Sequence, residues 1–433
     1  GSDFREQPML DKLRAAGVAV HVGHDRGHVD GVDAVASSTA IPANNNEVDE
    51  ARKRGIPTLS RAEMLAAICA MAKSIGVAGA HGKTTTTSML MLVLQEAELR
   101  PSFVVGGEVA DAGTGASWTG GEWFVVEADE SDRTHLELPL YGTILLNIDA
   151  DLLDHYDSFD DIVDGFDRYL AGIAGPKVLC IDDPHCRMLA ARHDVITYGT
   201  TTDADYHAVD IEPQDGWFRF VVRTAGRTLG TVDLPLRGRH NVANALGVIA
   251  MADRLGVPFD VVRAALARFG GVARRFDVRG VDGGATFVDD YAHLPAEIEA
   301  VLAAVRGSGD DWQRVVAVFQ PNRFNRMAKM SRDYADSFVD ADVVVITEIY
   351  PSGTTPIPGV TGQLVVDAIV ERHPASRVVW LPRRDDLVSF LAGEVGAGDV
   401  CVSMGCGDVA SLPDEVQTLR QRRRAEAAQS DFV

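Results

Sequence analysis

The run Gly79-Ala80-His81-Gly82-Lys83-Thr84-Thr85 holds the residue types from which a phosphate-binding loop is built. Glycines let backbone N–H groups approach phosphate oxygens closely, and a helix starting behind the loop turns its positive end toward them. Lys83 would reach the β- and γ-phosphates, and Thr84 would offer its hydroxyl to Mg²⁺. The first glycine of the usual GxxxxGK spacing is absent, because Val77 stands in its place. An ordinary glycine turn before a helix is the bland alternative. Strand, loop, Lys-Thr and helix in that order favour a bound nucleoside triphosphate. A second candidate is the acidic run Glu127-Ala128-Asp129-Glu130-Ser131-Asp132, which follows an apolar stretch. Carboxylates at a strand end beside a phosphate loop suit Mg²⁺, which takes hard oxygen ligands and keeps several waters. Alone, such a turn would be solvated surface.

The elements that must position these groups read as α/β layers. Short β-branched runs end in Gly or Asp and are followed by Ala/Leu-rich helical patterns, the mark of parallel α/β structure. In a first unit, 1–70, Val18–Val22 alternates as a strand and stops at Gly23. Asp33–Ala36 leads into the small-residue turn Ser37–Pro42, and Arg61–Lys73 reads as a closing helix. A second unit, 71–272, begins with strand Ser74–Ala78, the glycine loop and helix Thr85–Ala97. Strands follow at Trp123–Glu127 and Thr143–Asn147. Trp217–Leu236 alternates apolar and polar residues as antiparallel strands do, and Asn241–Leu255 and Pro258–Phe269 read as helices. A third unit, 273–433, carries strands Thr286–Val288, Val315–Phe319, Val343–Ile346 and Val378–Trp380. It ends in a polar helix, Gln417–Ala428, whose run Arg420-Gln421-Arg422-Arg423-Arg424 reads as a solvated helix end.

Composition narrows the function classes. A chain of 433 residues exceeds one ordinary domain. Its formal charge of -22 repels nucleic acid and anionic lipid, so any bound phosphate must be held by local groups. The five cysteines, Cys69, Cys180, Cys186, Cys401 and Cys406, form no metal-binding spacing and point to buried thiols in a reducing compartment. No apolar run approaches the roughly 20 residues of a membrane span, and no signal peptide is visible. A cytoplasmic enzyme is the expectation.

Further motifs stand in a fixed order around the loop and the acidic run. They are Gly1-Ser2-Asp3, Ser37–Pro42, Asn147-Ile148-Asp149-Ala150-Asp151 and Gly238-Arg239-His240-Asn241-Val242-Ala243-Asn244. After them come Arg274-Arg275-Phe276, Asp289-Asp290-Tyr291, Phe319-Gln320-Pro321, Tyr350-Pro351 and Pro356-Ile357-Pro358-Gly359. Together they resemble the Mur ligases over nearly the whole chain, and within them the members that join L-alanine to UDP-N-acetylmuramate for the peptidoglycan precursor of the cell wall. The resemblance implies an N-terminal Rossmann-like unit for the UDP-sugar, a central P-loop ATPase and a C-terminal Rossmann-like unit. It implies that ATP phosphorylates the muramoyl carboxylate and that the alanine amine then displaces phosphate. Such chemistry is mostly positioning and charge neutralisation. Carried onto this chain, Gly79 to Thr85 would cradle the phosphates, with Ala80 and His81 in the loop, and Thr84 and Glu127 would serve Mg²⁺. Asn241 and Asn244 would contact adenine, Asp290 the ribose, and Arg275 the migrating phosphoryl group. Arg323 and Arg326 would contact the acyl substrate, and His293 would meet substrate or orient the amine. Closure of such ligases about their linkers places hinges near residues 70 and 272.

Departures from the family pattern accompany the likeness. The chain opens at Gly1-Ser2-Asp3, where the family has an earlier strand and a Gly-rich turn for the UDP pyrophosphate, so weak UDP-sugar binding is expected. Leu152 stands where the family has a His on a second Mg²⁺, Leu294 replaces the second of two histidines, Asn322 replaces a His, and Ala80 replaces a Thr. Two other readings stay open: a recycling ligase that attaches a tripeptide to UDP-N-acetylmuramate, and a nucleotide-binding paralogue without turnover.

Overall fold

In a computed structural model that describes residues 1–38, 41–42, 44–149, 156, 158–307 and 312–430, the described strands form two large sheets and two small parallel pairs. The phosphate loop belongs to the ten-stranded sheet. Its strand Lys73–Ala78, buried beyond its first residue, runs parallel to Trp123–Ala128 on one side and Gly142–Leu145 on the other. A continuous buried run of this kind marks a strand covered on both faces. Ser102–Val109 and Thr114–Ser117 extend one side. Lys177–Cys180 and Ile196–Gly199 extend the other, followed by the meander Tyr206–Gln214, Trp217–Thr224 and Arg227–Leu234. Helices Lys83–Glu96 and Arg239–Arg254 pack on one face, and Phe159–Ala171 packs on the other.

Chain order reverses around Lys73–Ala78. The next strand lies two places away, the chain returns to Trp123–Ala128, and it then passes to Gly142–Leu145 on the far side. Such a reversal opens a crevice outside the carboxyl ends of the strands, where open α/β sheets take ligands. The glycine loop and the acidic run both leave strands at those ends.

A six-stranded sheet forms the C-terminal part, in the order Asp277–Asp282, Ala285–Asp290, Asp399–Met404, Arg314–Phe319, Val343–Ile346 and Val378–Trp380. Its first pair is a hairpin and the rest are parallel. The N-terminal part carries the pairs Ser2–Asp3 with His21–Val22 and Val35–Ser37 with Thr58–Ser60, and helices Pro8–Ala15, Asn46–Lys53 and Arg61–Cys69.

Several expectations are corrected. The strand read at Val18–Val22 is only His21–Val22. The helix from Arg61 stops at Cys69, because Lys73 already bonds Glu122 and opens the next strand. The strand read to Asn147 ends at Leu145, which releases Asn147 for the loop. The basic C-terminal run is not simply solvated: Arg420, with 11% of its side chain exposed, donates to the buried Asp282 at 2.7 Å, and Arg424 donates to the same carboxylate. They tie helix Leu412–Ser430 to the hairpin of the C-terminal sheet. Leu152 lies outside the described residues.

Candidate functional site

The loop geometry demands its glycines. Gly79 has φ 129° and Gly82 φ 84°, both in the region that favours glycine. A Cβ at Gly79 would lie 2.9 Å from the Asn147 carbonyl oxygen, and one at Gly82 would lie 3.0 Å from Asn244 Oδ1. Asn147 clamps the loop from beneath: its Oδ1 accepts from the His81 backbone N–H at 2.8 Å, and its Nδ2 donates to the His81 carbonyl at 3.1 Å. Helix Lys83–Glu96 starts directly behind Gly82, two residues before the expected Thr85, which is buried within it.

Lys83 donates to both Glu130 oxygens at 2.9 Å and to the Gly79 carbonyl at 2.6 Å. Glu130 is only 3% exposed, so the pair is desolvated. Burial pulls the Lys83 ammonium down, but the carboxylates of Glu130, Asp129 and Glu127 outweigh it and hold its pKa above the ordinary lysine value. Glu127 accepts from the Gly106 N–H at 2.6 Å. Thr84 is buried, and Arg275 Nη2 approaches its hydroxyl to 3.5 Å, the long end of a hydrogen bond.

The adenine candidates share one face of helix Arg239–Arg254. Asn241 donates to the Arg237 carbonyl at 2.7 Å, and Asn244 donates to Asn241 Oδ1 at 3.0 Å. Gly238 caps that helix, so Asn241 is not its cap. Asp290 accepts from the backbone N–H of Phe276 at 2.7 Å and of Ala292 at 2.8 Å. Burial pushes its carboxyl up to about 6 against the pull of Arg275. These bonds fold the linker, where Arg274 and Phe276 hold left-handed φ values of 63° and 50°. Positive φ at non-glycine residues is strain, which collects at functional sites.

On the third wall, Arg323 has φ 61° and donates its backbone N–H to Tyr350 at 2.9 Å. Arg326 is 5% exposed and donates to Asn322 Oδ1 at 3.0 Å. Leu294 is buried. His293 Nδ1 lies 3.1 Å from Glu297 Oε2.

A cleft of about 1220 Å³ joins these walls. Ser37, Ser38 and Arg61 line it from the N-terminal part, and Ala80, Gly82, Lys83, Thr84 and Glu127 from the central part. Arg275, His293, Arg323 and Arg326 line it from the C-terminal part. Gly79, His81, Thr85, Asn241, Asn244 and Asp290 lie outside this lining. Among the described residues no three His, Cys, Asp or Glu side chains are arranged to hold a metal. Thr84 and Glu127 are hard oxygen donors facing one space, which fits a Mg²⁺ completed by water and phosphate rather than by a protein cage. Cys69, Cys180, Cys186 and Cys401 are buried as expected, whereas Cys406 is partly exposed and lines the cleft. Sequence reasoning passed over Glu297 altogether and singled out neither Glu130 nor Asn147. The last two stood inside quoted motifs. Glu297 carried only the weak signal of an acid in the first turn after Pro295.

Residues 1–73 match the family described as Mur ligase family, catalytic domain; 77–252 match the Mur ligase middle domain; 274–407 match the Mur ligase, glutamate ligase domain. The chain is 42% identical over 420 residues to the UDP-N-acetylmuramate–L-alanine ligase of Anaeromyxobacter sp. (strain Fw109-5), covering 96% of this chain and 91% of that one. It is 41% identical over 421 residues to the ligase of the same name from Rubrobacter xylanophilus, covering 96% and 93%. Among solved structures, the UDP-N-acetylmuramate-alanine ligase of Thermotoga maritima superimposes with TM-score 0.82 at 26% identity, covering 98% of this chain and 93% of that one. A murein peptide ligase from Psychrobacter arcticus shares the fold, with TM-score 0.70 at 24% identity over 96% and 92%.

Proposed function

The chain belongs to the Mur ligase family, and from that premise we propose that it joins L-alanine to UDP-N-acetylmuramate, driven by conversion of ATP to ADP and phosphate. The observation that carries this reading is the single cleft lined from all parts of the chain. A ligase with a UDP-sugar, a nucleotide and an amino acid as substrates needs one shared space from which water can be excluded. We assign the UDP-sugar to 1–70, the nucleotide to 71–272 and the amino acid to 273–433.

In this reading the loop amides and Lys83 hold the nucleotide's phosphates, and Asn241, Asn244 and Asp290 hold its nucleoside. Thr84 and Glu127 would hold Mg²⁺, which when bound neutralises phosphate charge. Arg275, already beside Thr84, stabilises charge on the phosphoryl group as it passes to the muramoyl carboxylate. Arg323 and Arg326 orient the acyl substrate through forked guanidinium contacts. The amine then forms the amide C–N bond as the carbonyl C–O bond to phosphate breaks. A cytoplasmic location accords with this reading, since ATP and a nucleotide-activated precursor are its substrates. Among the described residues no helix is long and apolar enough to cross a membrane.

Phosphate release from ATP tests the proposal. Release should require both UDP-N-acetylmuramate and L-alanine. Turnover with a tripeptide in place of L-alanine would indicate the recycling ligase, and ATP binding without release would indicate a paralogue that does not turn over.

A further inference from the structure

Glu297 stands on the amino-acid side of the cleft and has no part in the assignment above. It lies in the first turn of helix Pro295–Arg306, with 14% of its side chain exposed. Its Oε2 accepts from the backbone N–H of His293 at 2.9 Å and of Leu294 at 3.2 Å, and it lies 3.1 Å from His293 Nδ1. Its Oε1 lies 3.4 Å from Nδ1 of His81, in the phosphate loop. Burial pulls the Glu297 pKa up, but His293 and His81 overcome this and hold it well below the usual carboxylate range.

His293 Nδ1 also faces the Tyr291 carbonyl at 3.1 Å. Both neighbours of that nitrogen are acceptors, so Nδ1 carries the proton, and a neutral ring keeps its lone pair on Nε2. Among the described residues Nε2 has no hydrogen-bond partner, and the residue lines the cleft. An amino acid arrives at neutral pH as an ammonium and must lose a proton before its nitrogen can attack. A histidine held in one tautomer by a carboxylate is a suitable acceptor.

We propose, resting on the ligase reading, that Glu297 is a positioning residue for amine activation. By holding His293 Nδ1–H it leaves Nε2 to take one proton from the ammonium of the incoming amino acid. The freed lone pair forms the C–N bond, the C–O bond to phosphate breaks, the second surplus N–H proton leaves with the phosphate as hydrogen phosphate, and the imidazolium returns its proton to water. The same carboxylate reaches His81, so it also joins the C-terminal part to the phosphate loop.

The test compares the full chain with Glu297→Gln and Glu297→Asp, using ATP, UDP-N-acetylmuramate and two nucleophiles. L-Alanine needs a base; hydroxylamine, mostly unprotonated at neutral pH, does not. Glu297→Gln should lower kcat with L-alanine by about 100-fold, the low end of what a positioned base contributes. It should leave hydroxylamine-dependent phosphate release within about 3-fold, with KM for ATP unchanged, and Glu297→Asp should restore part of the alanine rate. Equal losses with both nucleophiles, or an unchanged alanine rate, would overturn the proposal. Wild-type chain that is inactive with L-alanine would instead refute the ligase reading, so the two failures are separable.

Discussion

Arg326 shows how a single side chain can carry a functional expectation. Its guanidinium is nearly buried, and it donates to the neutral amide of Asn322. A buried cation is costly unless it is paired, so the site favours an anion arriving with substrate. Arg326→Lys should therefore lower kcat/KM by about 10- to 100-fold while leaving the fold intact, because an ammonium cannot reproduce the two-pronged contact. Steady-state kinetics beside a circular dichroism melt would check it, and an unchanged kcat/KM would remove Arg326 from the site. Residue types and order made Lys83, Thr84, Glu127 and Arg275 visible in the sequence. Glu130 and Glu297 were harder to see, because their significance comes from long-range contacts with Lys83 and His81 that no local pattern encodes.

At the scale of elements, buried apolar runs were the most legible. Strands at 286–288, 315–319, 343–346 and 378–380 all occur where β-branched runs stand between turns. Strand Asp399–Met404, in the middle of the same sheet, escaped notice because Asp399 and Ser403 frame only a short apolar segment. The turn after the acidic run sets His135 between the rings of Phe166 and Tyr169, with centroids 5.2 and 5.3 Å away and both ring nitrogens unpartnered. Burial drops its pKa to about 4 from the ordinary 6.5. The folded pKa lies below the unfolded one, so its contribution to stability is complete above pH 6.5 and is lost as pH falls toward 4. Each unit of that shift corresponds to about 1.4 kcal/mol. His135→Phe should therefore lose less stability than wild type between those limits, as read from denaturant melts at each pH. Parallel curves would show that His135 does not titrate in this way.

For the whole molecule, Leu65, Ile68 and Cys69 of the N-terminal part pack against the central core, and polar contacts between the parts include Lys12 with Glu108, Arg61 with Asp129, Arg275 with Thr84, and His81 with Glu297. The strained linker at Arg274–Phe276 lies just after residue 272, near which a hinge is expected. Motif order over the whole chain revealed the architecture because the motifs around Lys83, Glu127, Arg275 and Arg323 come from separate parts of the chain and line one cleft. The sequence could not show how closely the parts approach, since that depends on single side chains such as Glu297. The central claim is that the carboxylate of UDP-N-acetylmuramate is activated as an acyl phosphate before L-alanine attacks. The most direct test supplies that carboxylate labelled with heavy oxygen and follows the label by mass spectrometry of the products. One labelled oxygen should appear in the released phosphate for each amide formed. Phosphate free of label, with amide still accumulating, would contradict the account.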